Sequence, residues 1–161
     1  MSGTPAIRVL EKAKISFTLL HYNYEKGGQA IGLYAADAIG EPPSRVLKTL
    51  MVEAGGKPAC TVIPCNAELS MKLVASAFRE KNAQMMKPEA AERLTGYHVG
   101  GISPFGQRKK VPILFEKKPL GEPYVIINGG QRGLLLKLDM QDALIVLQAK
   151  TADLTSPDIN R

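Results

Sequence analysis

Residues 46–54 constrain the fold of this chain more than any other stretch. By the two-residue alternation of a strand, Val46, Lys48, Leu50 and Val52 share one face, while Leu47, Thr49 and Met51 share the other. Both faces are apolar, so the strand must be covered on two sides, as a central strand of a layered domain is. Gly55-Gly56-Lys57-Pro58 supplies a hairpin turn, and residues 59–64 return as the partner strand. The exception is Lys48, which stands where lysine is rare unless paired or used. Two readings stay open: an ammonium aimed at an anion, or a side chain that snorkels to the sheet edge.

Around this hairpin the chain alternates helix and strand. Thr4 before Pro5 reads as an N-cap and first helical residue, opening a helix to about residue 14 with Ile7 and Leu10 inward. Residues 17–22 read as a strand, with Tyr22 and Tyr24 ahead of a turn at Gly27-Gly28. Residues 30–39 read as a helix stopped by Gly40 and Pro42-Pro43. Ser70 caps a helix with Met71, Val74, Ala75 and Phe78 on one face, and residues 84–86 form a short strand. Pro88 starts a further helix that Gly96 halts. Strands are expected at 111–115, 124–127 and 134–138, before a last helix capped by Asp139. Residues 151–161 show no periodicity and are expected to fray as a tail after a single domain spanning 1–150. This order, with hairpins as well as crossovers, predicts a mixed α/β fold with a curled mixed sheet flanked by helices.

Two glycine-rich stretches interrupt the regular elements. Val99-Gly100-Gly101-Ile102-Ser103-Pro104-Phe105-Gly106 can be neither helix nor regular strand. Successive N–H groups in such a loop can form a nest for an anion or a polarised carbonyl oxygen, and a plain wide turn is the competing reading. Arg108, Lys109 and Lys110 follow at once, so the loop opens onto positive charge. Asn128-Gly129-Gly130-Gln131-Arg132-Gly133 is the second such stretch.

Composition narrows the function classes. Lys and Arg number 21 against 15 acidic residues, a formal charge of +6 that favours polyanions. Aromatics make up 6% and Trp is absent, which argues against an extended base-stacking platform. Any RNA would be met by shape, by phosphate contacts and by one small pocket. No apolar run approaches the ~20 residues of a membrane span, and residues 1–10 lack the pattern of a signal peptide, so a cytoplasmic protein with no membrane partner is expected. Cys60 and Cys65 lack the further ligands a zinc site needs and read as reduced structural thiols, with a redox pair as the alternative. His21 and His98 sit in no triad or metal pattern, so neither a metal nor a cofactor is expected.

The combination of Lys48-Thr49-Leu50, Thr95-Gly96-Tyr97, Gly100-Gly101-Ile102-Ser103-Pro104-Phe105-Gly106 and Gly129-Gly130-Gln131-Arg132-Gly133 resembles the YbaK/EbsC family. Thr4-Pro5-Ala6 and the strand from Phe17 to His21-Tyr22 fit as well, so the likeness covers about residues 4–150. The resemblance implies a barrel-like mixed sheet flanked by helices. It also implies a free-standing aminoacyl-tRNA editing domain, similar to the insertion domain of bacterial prolyl-tRNA synthetases. The activity so implied is hydrolysis of the ester of mischarged tRNA, with cysteinyl-tRNA for proline as reference substrate and prolyl-tRNA synthetase as partner.

An aminoacyl ester is already activated, so oxyanion stabilisation and positioning can suffice. In cysteine-specific members the substrate thiol is held to attack its own ester, a lyase-like route if it cyclises, and no protein nucleophile is needed. On this reading the Gly100 and Gly101 N–H groups face the carbonyl oxygen as a small nest. Lys48 holds the phosphate or hydroxyl region of the terminal adenosine, and Tyr22 and Thr49 line and orient the pocket. Ser103 either hydrogen-bonds substrate or fixes its Ser-Pro loop. Arg132 either meets RNA phosphate or braces the second loop against a carboxylate. Three positions depart from the cysteine-type pattern: Leu135 replaces an Asp, Ile31 an aromatic, and Asn128 a Ser. Each changes how the ammonium or side chain of the amino acid is read, leaving another small residue such as alanine as an alternative. A non-catalytic module that binds tRNA or the synthetase is the alternative of a different class. Lys48 with Gly100-Gly101 argues against that module, and Leu135 gives it weight.

Overall fold

The computed structural model describes residues 3–24 and 31–156, with only the backbone described at Ile31 and Gly32. In chain order the elements are α1 (Pro5–Lys12), β1 (Phe17–His21), α2 (Ile31–Ile39), β2 (Leu47–Ala54), β3 (Lys57–Pro64), α3 (Met71–Ala77), β4 (Ala83–Met85) and α4 (Pro88–Thr95). They continue with β5 (Ile113–Glu116), a 3₁₀ turn (Lys118–Gly121), β6 (Tyr124–Gln131), β7 (Leu134–Asp139), α5 (Met140–Leu147) and β8 (Lys150–Ala152). The expected turn at Gly27-Gly28 lies outside the described residues.

Capping follows the sequence closely. The hydroxyls of Thr4 and Ser70 and the carboxylate of Asp139 each accept a hydrogen bond from the N–H three residues on, at 3.2, 3.2 and 2.9 Å. Two expectations need correction. The second glycine-rich stretch is not a free loop: β6 runs on through Gln131 and reaches β7 across a bulge between Asn128 and Gln131. The tail does not fray at residue 151, because Lys150–Ala152 pairs in parallel with β5 and Leu154 is fully buried. Three residues of strand are too few to show a period; residues 157–161 lie outside the described residues.

The strands make two sheets, β1-β7-β6 and β4-β2-β3-β5-β8. The first is antiparallel throughout; the second is mixed, with β3, β5 and β8 parallel to one another. They are joined at an isolated parallel bridge between Val46 and Ile126, where the Ile126 N–H donates to Arg45 O at 2.8 Å. The sheet is thus curled without closing. Beyond that bridge no further pairing joins β2 to β6 among the described residues.

β2 is covered on both faces, as its composition requires. Leu47 and Met51 enter the main core with Phe105, Phe115, Leu136 and the inward face of α1. Val46 packs under α2 with Ala35, Ala36, Ile126 and Leu135, and Val52 packs under α3 with Ile63, Val74 and Leu154. The C-terminal end of α2 is tied down by a polar cluster: Tyr124 Oη donates to Glu41 at 2.8 Å, Lys137 Nζ donates to Glu41 at 3.2 Å, and Arg45 donates to Tyr124 Oη at 2.7 Å.

The start of α1 is wedged between the two glycine stretches. Thr4 Oγ1 donates to Gly129 O at 2.5 Å, and Gly106 lies against the Pro5 backbone. Gly106 has φ +67°, and a Cβ there would stand 2.7 Å from the Pro5 carbonyl carbon. Gly106→Ala is therefore expected to destabilise the fold by about 2 kcal/mol, from left-handed strain plus overpacking against backbone. Urea unfolding followed by circular dichroism measures it, and an unchanged midpoint would contradict this account.

Candidate active site

The loop that carries Gly100 and Gly101 is held from both ends. Phe105 is fully buried, and Tyr97 Oη donates to Phe105 O at 2.6 Å across the loop base. The Glu92 carboxylate, on α4, accepts from the Val99 N–H at 2.8 Å. Arg108 and Lys109 return to α4 through their N–H groups, onto Thr95 O and Leu94 O at 2.9 and 3.1 Å. Their side chains and that of Lys110 are exposed.

The two glycine stretches meet. Asn128 Nδ2 donates to Gly100 O at 3.2 Å, while Asn128 Oδ1 accepts from the Gly130 N–H at 2.7 Å. Arg132 Nε donates to Val99 O at 2.9 Å, and its guanidinium lies 5.2 Å from the Tyr24 ring centroid. A Cβ on Gly101 would stand 2.9 Å from Arg132 N, and one on Gly100 (φ +91°) 2.6 Å from Tyr24 Oη, so both glycines are required for this contact. Tyr24, unassigned by sequence reasoning, thus forms part of the loop's seat.

Between this loop and β2 lies a cavity of about 320 Å³, at the small end of ligand pockets. Lys48, Thr49, Gly100, Asn128 and Tyr22 all line it. The remaining wall is apolar and includes Leu135, Met51, Met85 and Met86. No Asp or Glu is among the described residues of the wall. The methionines escaped notice because each falls at an ordinary core spacing, and nothing in the sequence marks them as wall.

Lys48 is half-buried, and among the described residues no carboxylate lies within ion-pair distance of it. Burial pushes the Cys65 thiol up, and the nearby Lys48 ammonium opposes that shift. Cys60 and Cys65 are both free and buried, in different cores on opposite faces of the sheet. Burial drives the Cys60 thiol up to about 12, out of the range of a reactive thiolate. Tyr22 stands edge-on to Tyr34 with centroids 6.1 Å apart. Burial pushes the Tyr22 phenol up from its ordinary value, so the neutral hydroxyl remains available as a donor.

Three site assignments change. The Gly101 N–H is not free to form a nest: it donates to His98 O at 2.8 Å and closes a turn, whereas the Gly100 N–H has no acceptor among the described residues. Ser103 is fully buried and does not line the cavity; its hydroxyl accepts from the Phe105 N–H at 3.2 Å and fixes the loop before Pro104. Arg132 braces the loop against a carbonyl, not a carboxylate, and remains exposed near the rim. The side chain of Ile31 lies outside the described residues.

A sequence model of the aminoacyl-tRNA editing domain matches residues 34–144, which include β2, the Gly100 loop and the bulge at Asn128. The chain belongs to the aminoacyl-tRNA editing domain family. It is 29% identical over 157 residues to EbsC of Enterococcus faecalis, provisionally assigned as a Cys-tRNA(Pro)/Cys-tRNA(Cys) deacylase, covering 96% of this chain and 94% of that one. An 86-residue stretch is 31% identical to the proline–tRNA ligase of Acidithiobacillus ferrooxidans, covering 53% of this chain and 15% of the ligase. Among solved structures, one described as a provisional trans-editing enzyme for prolyl-tRNA synthetase shares the fold with a TM-score of 0.80 at 21% identity, over 97% of this chain and 100% of that one. The hypothetical protein APE2540 does so with a TM-score of 0.82 at 20% identity, over 94% and 99%. No helix among the described residues is long and apolar enough to cross a membrane.

Proposed function

We propose that this chain is a cytoplasmic trans-editing deacylase that hydrolyses the ester of mischarged proline tRNA, with cysteinyl-tRNA(Pro) as its substrate. One observation carries the reading: Lys48 of β2 and Gly100 of the glycine-rich loop line the same cavity. In this account the terminal adenosine enters with its phosphate or hydroxyl groups on the Lys48 ammonium, and the ester carbonyl oxygen turns to the Gly100 N–H. Tyr22 orients the ribose, and Asn128 keeps the Gly100 loop in register with β6. The substrate's own thiol attacks its ester carbonyl, a carbon–sulfur bond forms, and the carbon–oxygen bond to the ribose breaks. The thiol proton passes to the departing ribose hydroxyl, and water opens the resulting thiolactone. The curated relatives, one a deacylase by its assignment and one a proline–tRNA ligase, support tRNA as substrate and prolyl-tRNA synthetase as partner. Arg132 at the rim supplies positive charge to the incoming RNA.

Leu135 favours a second reading within the class. Its apolar side chain in the cavity wall suits alanine as readily as cysteine, and alanine would require water as nucleophile. Ester release from proline tRNA charged separately with cysteine, alanine and proline tests both. Faster loss of cysteine than of alanine or proline is expected; preferential loss of alanine selects the second reading. Decay of all three at the uncatalysed rate would leave a binding module.

A further inference from the structure

We propose that Thr49 holds the α-ammonium of the acyl group, through its backbone carbonyl and its hydroxyl, and so selects aminoacyl esters over other acyl esters. The inference rests on the deacylase reading above. An ammonium brought into this cavity finds no carboxylate among the described wall residues, so neutral oxygens must take its protons. Most candidate oxygens are already engaged. Asn128 Oδ1 accepts from the Gly130 and Gln131 N–H groups, Gly100 O accepts from Asn128, and Val99 O accepts from Arg132.

β2 supplies oxygens that those contacts do not use. β4 pairs with it at residues 52–54, and β6 meets it at Val46, so the edge between has no strand partner among the described residues. The Met86 N–H donates to Met51 O, and the Ile126 N–H donates to Arg45 O, so odd-numbered residues of this strand aim their peptide groups away from β3. Thr49 is odd-numbered and lies between those two anchors. Its N–H and C=O therefore face the open edge. Its Oγ1 is shut off from water and has no hydrogen-bond partner among the described residues. Thr49 lines the cavity, and rotation about its Cα–Cβ bond lets the hydroxyl and the methyl group, similar in size, exchange places. Lys48 and Thr49 project to opposite faces of the strand, which keeps the substrate ammonium away from the lysine ammonium. A substrate ammonium would supply the donor that the Thr49 hydroxyl lacks among the described residues.

Matched ester pairs on the same proline tRNA test this: cysteinyl against 3-mercaptopropionyl, and alanyl against propionyl. The full chain is expected to prefer the aminoacyl member of the hydrolysed pair. Thr49→Val should lower kcat/KM on that aminoacyl ester about tenfold more than on its desamino partner, and Thr49→Ser should restore the preference. Because Thr49→Val removes a buried hydroxyl that has no partner among the described residues, its thermal midpoint should match or exceed that of the parent protein. A parent-like preference in Thr49→Val overturns the assignment. So does an equal fall on both esters with a lowered midpoint, which marks a packing role. Failure of the parent protein to hydrolyse any of the four esters removes the deacylase reading, and this assignment with it.

Discussion

Lys48→Ala is expected to lower kcat/KM for ester release by about 100-fold or more while leaving the thermal midpoint within a degree or two. The size follows from position: the side chain is half-buried in a small cavity, where an ammonium acts on an anion far more strongly than in water. The stability half follows from the absence of an ion-pair partner for Lys48 among the described residues, so truncation orphans no buried carboxylate. Lys48→Met separates charge from bulk. If it is as impaired as Lys48→Ala, the ammonium itself is required; if it is fully active, the lysine only fills space. Lys48→Arg is not expected to rescue, because a planar fork cannot occupy the volume of a compact ammonium in this cavity.

The largest effect on stability is expected far from the cavity, at Glu116. This carboxylate is 2% exposed, at the end of β5. Its Oε1 accepts from the Leu154 N–H, the Thr155 N–H and the Thr155 hydroxyl at 2.8, 3.0 and 3.0 Å, and its Oε2 accepts from the Lys118 N–H at 3.1 Å. Glu116→Ala strips these donors of their acceptor in a buried place. A loss of about 3 kcal/mol is expected, or roughly 6–12 °C in thermal midpoint for a domain of this size. Burial alone would raise the pKa of this group, but the Leu154, Lys118 and Thr155 hydrogen bonds outweigh it and hold the carboxyl below its ordinary value of 4.5. A lowered pKa in the folded state stabilises above the unfolded value and ceases to do so as pH falls through the folded one. The parent midpoint should therefore drop steeply below about pH 4.5, and Glu116→Gln should flatten that part of the profile. Parallel profiles for the two proteins would show that Glu116 is not the group responsible.

Much of the framework could be read from residue patterns because its causes are local. Thr4-Pro5, Ser70 and Asp139 are caps that act within one helical turn, and all three start helices here. The double-sided apolar run of β2 forces cover on both faces whatever supplies it. What could not be read depends on partners distant in sequence. Glu116 appears as one acidic residue ending a strand, and nothing nearby announces Leu154 and Thr155 as its donors. Gly101 and Gly100 look alike in sequence, yet a single bond to His98 O takes one amide and not the other. Ser103 carried two readings, and only the burial around Phe105 separates them. Thr49 was legible as a neighbour of Lys48; the open strand edge beside it was not, because β4 and β6 are both needed to show where pairing stops.

The cavity wall is drawn from Tyr22, the β2 edge, the β4–α4 junction, the Gly100 loop and the β6–β7 pair, which together reach across most of the chain. A contiguous fragment that contains them all must run at least from Tyr22 to Leu135. A chain made only as far as β5 therefore lacks the β6–β7 part of the wall, and the cavity is complete only once that pair has been added. The wall is among the last things that synthesis of the chain completes.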